Sequence, residues 1–346
     1  MVTYALLPKA SANRVYGAAS FQLLRAELDV LDRLVLGSVV VAQDRRSLGG
    51  IEYVAVDCGR ERLDGRQRRL VSNLSSLHAL FELDDDLLRP VDVEPLRRQD
   101  DDIVTIQRYA GKTNEAFTHL LVNLALAAAG DAFPRLLAGE RVRLLDPACG
   151  RGTTLNRALV YGMDAVGMDV DRHDLEAYEA FLLAWLQDKR LKHHAERARL
   201  RKGRDEPAHR CTVTYGATKD QSAQRVVDVV HDDAAAARTH LRARSIDVLA
   251  CDLPYGVQHA ARSAEGAVQR GPHELLEAAL PVWFEVLRPG AGAALAWNLR
   301  TLPRSRLVHL LETHGFELLV PAADERFAHR VDRAITRDVV TARRPR

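Results

Sequence analysis

A loop between a short apolar run and a helical pattern is the first place where the residue types suggest ligand chemistry. Residues 146–154 read D-P-A-C-G-R-G-T-T and directly follow the strand-like run Val142–Leu145. A strand, a glycine turn and a helix N-terminus form a site where backbone N–H groups can face an anionic ligand group. Gly150 and Gly152 would let the backbone approach that ligand closely. The pattern is neither a P-loop nor the full G-x-G-x-x-G fingerprint, because residue 155 is Leu, and an ordinary tight turn is the alternative.

Acidic residues follow the next two strand-like runs. Ala165–Met168 is followed by Asp169, with Asp171 as its close competitor, and the third strand is followed by Asp232 and Asp233. In doubly wound folds an acid at the end of the second strand accepts hydrogen bonds from ribose hydroxyls. Together with the glycine loop, these acids predict a nucleoside-containing cofactor. We expect its adenine beside the third strand and favour Asp233 over Asp232 there.

A second block, Asp252-Leu253-Pro254-Tyr255-Gly256, follows the apolar run Ile246–Ala250. The two blocks in this order resemble the class I S-adenosylmethionine-dependent methyltransferases that modify exocyclic amines. The form D-L-P-Y-G is similar to the tRNA guanine-N2 methyltransferases, whereas the more general form is Asn/Asp-Pro-Pro-aromatic. The likeness covers about residues 105–346. Alone, D-L-P-Y-G could be a plain strand end with a turn, but the glycine loop upstream makes that alternative much weaker.

The resemblance implies a reaction. An aromatic exocyclic amine is a poor nucleophile because its lone pair is delocalised into the ring. Asp252 and the carbonyl of Leu253 would accept its two N–H bonds and orient the nitrogen towards a methyl sulfonium. The rest of catalysis is alignment for in-line displacement. Pro254 would stiffen the turn, and Tyr255 would offer a face on which the extruded base stacks.

The resemblance also implies the cofactor, S-adenosyl-L-methionine. Asp146, Gly150 and Gly152 should hold its methionine end, Asp169 its ribose and Asp233 its adenine. The residues expected to bind it are Asp146, Pro147, Cys149, Gly150, Gly152, Thr153, Asp169, Asp233 and Asp252. No metal site is expected.

The elements that must position these residues form an alternating pattern from residue 141 onward. Such alternation predicts an open, mainly parallel sheet covered by helices on both faces. The expected fold class is α/β, with a Rossmann-like class I methyltransferase sheet over residues 111–346. The strand-like runs are Val142–Leu145, Ala165–Met168, Val226–Val230, Ile246–Ala250, Ala291–Trp297, Phe316–Val320 and Asp338–Ala342.

The segment before this sheet begins a helix. Thr113 or Asn114 is a plausible cap, and the apolar spacing from Phe117 onward marks a buried helix face. Tyr109 and Lys112–Glu115 lie where related enzymes line the cofactor or base pocket, which makes them weaker candidates for the site.

Residues 1–83 predict a small α+β domain with the ferredoxin-like order β-α-β-β-α-β. Its strand-like runs are Val2–Leu7, Val35–Gln43, Ile51–Asp57 and Ala79–Leu83, and its helical patterns are Tyr16–Leu34 and Gln67–Leu77. Residues 84–110, with two Asp triplets and two prolines, are expected to be a linker. The tRNA methyltransferases resembled here carry a THUMP domain in that region, and this connector leaves no room for one.

Composition excludes several classes of protein. The chain has 346 residues and a net charge of +2, so it is no histone-like polycation, and nucleic-acid contacts must come from local patches. No run of eighteen apolar residues exists, which predicts that the chain does not span a membrane, and its start shows no signal peptide. The four cysteines lack C-x-x-C pairing, which argues against a zinc ribbon or a disulfide framework and favours a reduced cytoplasm. Cys149 and Cys251 are expected to be small buried residues.

Two basic stretches could follow phosphates. Residues 188–210 hold nine Lys or Arg and four acids, and residues 326–346 hold seven Arg and two Asp. A solvated helix face and a frayed terminus are the alternatives for them. RNA, and tRNA in particular, is the expected partner. Methylation of adenine or cytosine amines in DNA is the second hypothesis. A non-catalytic S-adenosylmethionine-binding partner protein is the third, and it predicts damage to one of the two blocks, although both are intact.

Overall fold

The computed structural model describes residues 2–10, 14–59, 61–202, 206–216, 223–255, 271–319 and 325–346. They form a five-stranded sheet at the N-terminus and a ten-stranded sheet that contains both sequence blocks. Gly256, the last residue of the second block, lies outside the described residues.

The N-terminal sheet confirms the predicted β-α-β-β-α-β order. Its elements are β1 (Thr3–Pro8), α1 (Arg14–Leu31), β2 (Ala42–Leu48), β3 (Ile51–Asp57), α2 (Gly65–Val71), β4 (Leu77–Asp84) and β5 (Leu87–Val91). The strands pair in the order β2-β3-β1-β4-β5, and every neighbouring pair is antiparallel. Leu24 and Leu28 of α1 are buried in one core with Tyr4 and Val54 of the sheet.

Three boundaries in this region were predicted wrongly. The expected strand Val35–Gln43 is instead a π-helical continuation of α1 (Asp32–Leu36) followed by a loop. The Asp32 carboxylate accepts the backbone N–H groups of residues 39 and 40, which holds that loop away from the sheet. The second helix ends at Val71 rather than Leu77. The expected linker 84–110 contains β5, which pairs with β4 and extends the sheet.

The larger sheet holds the remaining strands. They are β6 (Arg143–Asp146), β7 (Asp164–Asp169), β8 (His193–Lys202), β9 (Glu206–Tyr215), β10 (Arg225–His231), β11 (Ile246–Asp252), β12 (Leu287–Asn298), β13 (Glu317–Leu318), β14 (His329–Arg330) and β15 (Thr336–Arg343). The helices are α3 (Ile103–Ile106), α4 (Glu115–Ala129), α5 (Ala132–Leu137), α6 (Thr153–Tyr161), α7 (Arg172–Asp188), α8 (Ala237–His240), α9 (Pro272–Val286) and α10 (Arg304–Thr313), with a 3₁₀ turn at Ala234–Ala236.

The strand order places a ligand crevice between β6 and β11. The sheet runs β13-β15-β12-β11-β6-β7-β10-β9-β8, with β14 beside β15. The five strands β10, β7, β6, β11 and β12 are parallel, and β15 is antiparallel to β12. In such doubly wound sheets ligands bind outside the carboxyl ends of the strands where the order reverses, which here is at β6 and β11. This order confirms the expected α/β class with a Rossmann-like sheet.

The hairpin β8–β9 was not predicted. It extends the sheet at the edge beyond β10 and contains most of the basic stretch 188–210. The helix-face alternative for that stretch is therefore wrong. Charged residues alternate irregularly along β8, so no apolar period of two marked the strand.

Helix α4 joins the two parts of the protein and carries the edge of the site. Asn114 caps it by accepting the N–H groups of residues 116 and 117. A Cβ on Gly292 of β12 would lie 2.2 Å from the carbonyl oxygen of Ala125, so α4 rests directly on the sheet. On its other side Asn123 donates to the Glu27 carboxylate of α1, 2.7 Å away, and accepts a hydrogen bond from Tyr161. This buried network connects the N-terminal domain to the helix.

Glu27→Gln is expected to remove a pH dependence from the free energy of unfolding. Burial raises the pKa of Glu27 from 4.5 to about 7. Between these values the folded state holds a proton that the unfolded state releases, so its stabilising effect is present below pH 4.5 and lost as the pH rises through 7. The difference is about 3 kcal/mol. The free energy of unfolding is measured with urea at pH 4.5 and pH 8. Its decrease between these two pH values should be larger by that amount in the unmodified chain than in the variant.

The exposed Glu94 provides the matched control. Glu94→Gln should leave the pH dependence of unfolding as it is in the unmodified chain, because its side chain is largely in solvent. An identical pH dependence with and without the Glu27 carboxyl would show that the proton on this residue does not stabilise the fold.

Candidate functional site

The glycine loop connects the end of β6 to the start of α6 at the crevice. The Gly150 N–H donates to Asp169 Oδ2 at 2.7 Å, and the Cys149 N–H donates to the Met168 carbonyl at 2.9 Å. Both bonds attach the loop to the end of β7. Gly150 and Gly152 adopt positive φ angles of 49° and 74°. The loop therefore has the left-handed conformation that favours glycine at both positions.

Gly150 and Gly152 have different surroundings and therefore different structural roles. A Cβ on Gly150 would meet no atom within 4 Å, whereas a Cβ on Gly152 would lie 2.3 Å from the ring of Tyr178. Gly150 thus borders free space, as the expected close approach to a ligand requires. Gly152 is needed for a different reason, because α7 places Tyr178 against it.

Alanine substitutions should separate these two roles. Gly150→Ala is expected to cost about 1 kcal/mol of stability from the left-handed conformation alone. Its methyl group would fill the space kept for the ligand and weaken binding of the expected cofactor about tenfold. Gly152→Ala should cost about 3 kcal/mol, because overlap with Tyr178 adds to the backbone strain. Thermal unfolding and titration calorimetry on both variants measure the difference, and equal stability losses would contradict it.

The acids beyond the glycine loop are engaged in distinct ways. Asp169 accepts the N–H groups of Gly150 and Asp171 with its two oxygens, so it organises the loop itself. Asp171 caps α7. Asp232 is buried, and its Oδ2 lies 2.7 Å from His240 Nε2. Asp233 is half-buried and caps the 3₁₀ turn.

Asp146 lies at the bottom of the crevice, and only 2% of its surface is exposed. Its Oδ1 accepts the N–H of Ala148 at 3.2 Å. Burial raises its pKa to about 7, opposed by a hydrogen bond from Thr154 and reinforced by the carboxylates of Asp169 and Asp252. The carboxyl groups of Asp146, Asp169 and Asp252, at the ends of β6, β7 and β11, therefore interact electrostatically.

The second block begins at the end of β11, beside the glycine loop. Asp252 Oδ2 accepts a hydrogen bond from Thr113 Oγ1 at 2.7 Å. The Leu253 N–H donates to the Ala296 carbonyl at 2.8 Å, which attaches the turn to β12, and the Leu253 side chain is buried. Pro254 and Tyr255 are half-buried. Thr113 belongs to the segment 112–115 that sequence reasoning held as a weaker candidate.

Tyr255 does not present a free face in this structure. Its hydroxyl donates to Asp252 Oδ1 and accepts from Arg337 Nε. Its ring centroid lies 5.2 Å from the Arg337 guanidinium carbon. The expectation of an open stacking surface therefore requires the side chain to turn outward when a base enters.

Arg337 of β15 and Phe117 of α4 are site residues that sequence reasoning missed. Arg337 Nη2 lies 3.4 Å from Asp252 Oδ2, and the guanidinium carbon lies 4.3 Å from the Phe117 ring centroid. Burial alone would lower the pKa of Arg337, but Asp252 and Tyr255 raise it above its ordinary value. The apolar run after Arg337 predicted a strand, but nothing in the sequence indicated that the Arg337 side chain reaches Asp252.

Tyr109 and the cysteines complete the surroundings. The Tyr109 hydroxyl lies 2.8 Å from Thr153 Oγ1 at the start of α6, and Arg151 lies 5.1 Å from its ring centroid. Tyr109 therefore contacts the start of the helix that follows the glycine loop. Cys149 and Cys251 are buried free thiols, as expected.

The two basic stretches are largely used within the protein. In the tail, Arg337 is in the site, Arg343 pairs with Glu317, and Arg344 donates to the Leu287 carbonyl. The frayed-terminus alternative is therefore wrong, because residues 337–343 pair with β12, whereas Arg330, Arg333 and Arg346 of this stretch are exposed. In the first stretch Lys189, Arg197 and Arg210 pair with acids, whereas Lys192 and Arg199 are exposed on the hairpin.

Two kinds of feature are absent from the described ranges. No helix there has the length and apolar character needed to cross a bilayer. No group of three or more His, Cys, Asp or Glu side chains in the same ranges is arranged to hold a metal ion.

Comparison with known proteins gives fold similarity alone. No family model and no curated protein matches the chain. TrmN from Thermus thermophilus is similar at 16% identity and a TM-score of 0.40, over 87% of this chain and 59% of TrmN, so the chain spans less than two thirds of that protein. A TehB-like SAM-dependent methyltransferase from Corynebacterium glutamicum is similar at 15% identity and a TM-score of 0.34, over 66% of this chain and 98% of that one. The ribosomal protein L11 methylase from Lactobacillus delbrueckii subsp. bulgaricus is similar at 12% identity and a TM-score of 0.37, over 66% of this chain and 80% of that one.

Proposed function

We propose that this protein is an S-adenosylmethionine-dependent methyltransferase that acts on the exocyclic amine of a nucleobase, with guanine N2 in tRNA as the substrate. One observation carries the proposal. The D-L-P-Y turn presents an ion-paired Asp252 at the switch point of the sheet, beside a glycine loop that borders free space. The intact acid and intact loop also argue against a non-catalytic partner protein.

The residues at the crevice fit the cofactor. The free space at Gly150 accepts the methionine end, and Asp146 lies below it as the partner for the cofactor's ammonium group. Pro147, Cys149 and Thr153 shape the loop. Asp169 is the acid for the ribose, since each of its oxygens has a further lone pair beyond the backbone N–H it accepts. Asp233 is the more exposed of the two acids after β10 and is assigned to the adenine.

When bound, S-adenosylmethionine supplies an electrophilic methyl group. The chain's own residues then act on the amine. Asp252 Oδ1 and the Leu253 carbonyl accept its two N–H bonds, so the nitrogen lone pair turns out of conjugation and towards the methyl carbon. The nitrogen loses one proton when its new bond forms, and the Asp252 carboxylate is the acceptor in contact with it. Tyr255 turns outward from Asp252 and stacks on the base.

RNA as the substrate rests on two features. The D-L-P-Y-G form resembles the tRNA guanine-N2 enzymes. The hairpin β8–β9 projects exposed Lys192 and Arg199 at the sheet edge beyond β10, where they are available to phosphates. Both lie on the half of the sheet that contains the acids assigned to the cofactor.

Nucleoside mass spectrometry of a strain that lacks the gene tests the substrate. Loss of N2-methylguanosine from its tRNA, restored by the unmodified gene and not by a gene encoding Asp252→Ala, is the expected result. Loss of a methylated adenine or cytosine from DNA alone would replace the proposal with the DNA alternative.

A further inference from the structure

Arg337 is the cation of a crowded acidic site. Three carboxyl groups, Asp146, Asp169 and Asp252, interact electrostatically at the ends of β6, β7 and β11. Among the ion pairs of the described residues, the pair between Arg337 and Asp252 is the one that brings a cation to this group. The Arg337 side chain is 6% exposed and that of Asp252 is 16% exposed, so water screens the pair poorly.

We propose that Arg337 is a positioning residue for methyl transfer, which holds the Asp252 carboxylate so that its Oδ1 faces the substrate amine. The inference rests on the proposed function and adds a residue that neither sequence block contains. Arg337 reaches the site from β15, the antiparallel strand beside β12.

The geometry divides the Asp252 carboxylate into two sides. Thr113 and Arg337 hold Oδ2, at 2.7 Å and 3.4 Å. Tyr255 donates to Oδ1, where the amine N–H has to bind. When Tyr255 turns outward, Oδ1 becomes free while Oδ2 keeps both partners. Phe117, which packs against the guanidinium, fixes the plane of Arg337 and thus the direction of the carboxylate.

The direction of the Asp252 carboxylate depends on this pair. Among the described residues, the titratable and charged groups around it are Asp146, Asp169, Cys251, Tyr255, His329 and Arg337. Burial lowers the pKa of His329, which disfavours the charged form of that ring. Without Arg337, the Asp252 carboxylate would face two further acids with no described cation in contact with it, and repulsion would turn it away from the position in which Oδ1 faces the amine.

Two variants at this position and one matched control test the proposal. Arg337→Gln removes the charge, and Arg337→Lys keeps it. Arg304→Gln is the control, because Arg304 forms a comparably buried ion pair with Asp338, the next residue along β15, and has no described contact with Asp252. Thermal unfolding, S-adenosylmethionine affinity, kcat and KM are measured for all three.

Arg337→Gln should lower kcat about a hundredfold and leave cofactor affinity and the KM for RNA within threefold. Arg337→Lys, which keeps the charge, should recover at least tenfold in kcat. Arg304→Gln should lower thermal stability and leave kcat within threefold of the unmodified protein. A kcat within threefold of the unmodified protein in folded Arg337→Gln, or an equal loss of kcat in Arg304→Gln, would overturn the proposal.

A second measurement separates this proposal from the proposed function. Crystal structures of Arg337→Gln and Arg304→Gln report the direction of the Asp252 carboxylate without any methyl transfer. If the unmodified protein binds S-adenosylmethionine but methylates no nucleic acid, the proposed function fails. The role of Arg337 is then still tested, because Arg337→Gln should change the side-chain rotamer of Asp252 and Arg304→Gln should not. An unchanged Asp252 rotamer in Arg337→Gln would overturn it.

Discussion

Asp252→Ala is expected to lower methyl transfer at least about a hundredfold, which is the usual loss when a group that aligns or deprotonates a reacting atom is removed. Binding of S-adenosylmethionine should stay within threefold, because the glycine loop and Asp169 do not depend on this side chain for their hydrogen bonds. The substitution leaves Arg337 without its ion-pair partner, so some loss of stability accompanies the loss of turnover. Single-turnover kinetics with saturating cofactor measure the transfer step alone.

Asp252→Asn and Asp188→Ala sharpen the same test. An asparagine carbonyl can still accept one amine N–H, so Asp252→Asn should retain more activity than Asp252→Ala. Asp188, an exposed acid at the end of α7, serves as the control whose substitution should change nothing. Turnover by Asp252→Ala within threefold of the unmodified protein would remove the assigned mechanism.

Binding of S-adenosylmethionine should strengthen as the pH rises, because Asp146 must lose a proton. Burial raises the pKa of Asp146 to about 7, so it is partly protonated in the free protein at neutral pH. A cationic ammonium group beside it favours the carboxylate and lowers that pKa on binding. Protons are therefore released, and affinity should rise up to about tenfold per pH unit below pH 7 and level off above it.

Titration calorimetry in two buffers of different ionisation enthalpy measures this proton release directly. At pH 7 up to about half a proton should leave per bound cofactor. Asp146→Asn should abolish that release and weaken binding about 10- to 100-fold at pH 7.5, where the unmodified residue is mostly ionised. Equal proton release in the unmodified protein and the variant would exclude Asp146 as the partner of the ammonium group.

The two sequence blocks were predictable because local pattern and topology agree. Parallel strands bring their carboxyl ends to one edge of the sheet, so a glycine loop after β6 and an acidic turn after β11 had to meet there. The third strand, β10, was also marked by its apolar run and its following acids. What each acid does beyond lying at that edge depends on hydrogen bonds that the sequence does not display.

Arg337 and the hairpin β8–β9 could not be predicted, for different physical reasons. The role of Arg337 is defined by tertiary contacts with residues that are far apart along the chain. Arg337 reads as one more arginine in a basic tail until β15 places it over Phe117 and against Asp252. The stretch that holds β8 reads as a charged helix face, because that strand shows no apolar period of two, whereas the alternation of Cys211, Val213 and Tyr215 in β9 was a signal that the sequence analysis missed.

Gly152 and Asp32 show how local rules mislead. Gly152 satisfies the pattern of a ligand-binding loop, yet its missing side chain makes room for Tyr178. Residues 35–40 have the apolar composition of a strand, yet the Asp32 carboxylate binds their backbone and ends the helix in a loop. In both cases one side-chain contact outweighs the propensity of the segment.

Transfer of a labelled methyl group in vitro tests the central claim most directly. The purified protein is incubated with methyl-labelled S-adenosylmethionine and, separately, with unmodified tRNA, ribosomal RNA and DNA, and the nucleosides are then separated. Label is expected in N2-methylguanosine from tRNA with the unmodified protein and not with Asp252→Ala. Label in DNA alone, or in no nucleic acid although the cofactor binds, would contradict it.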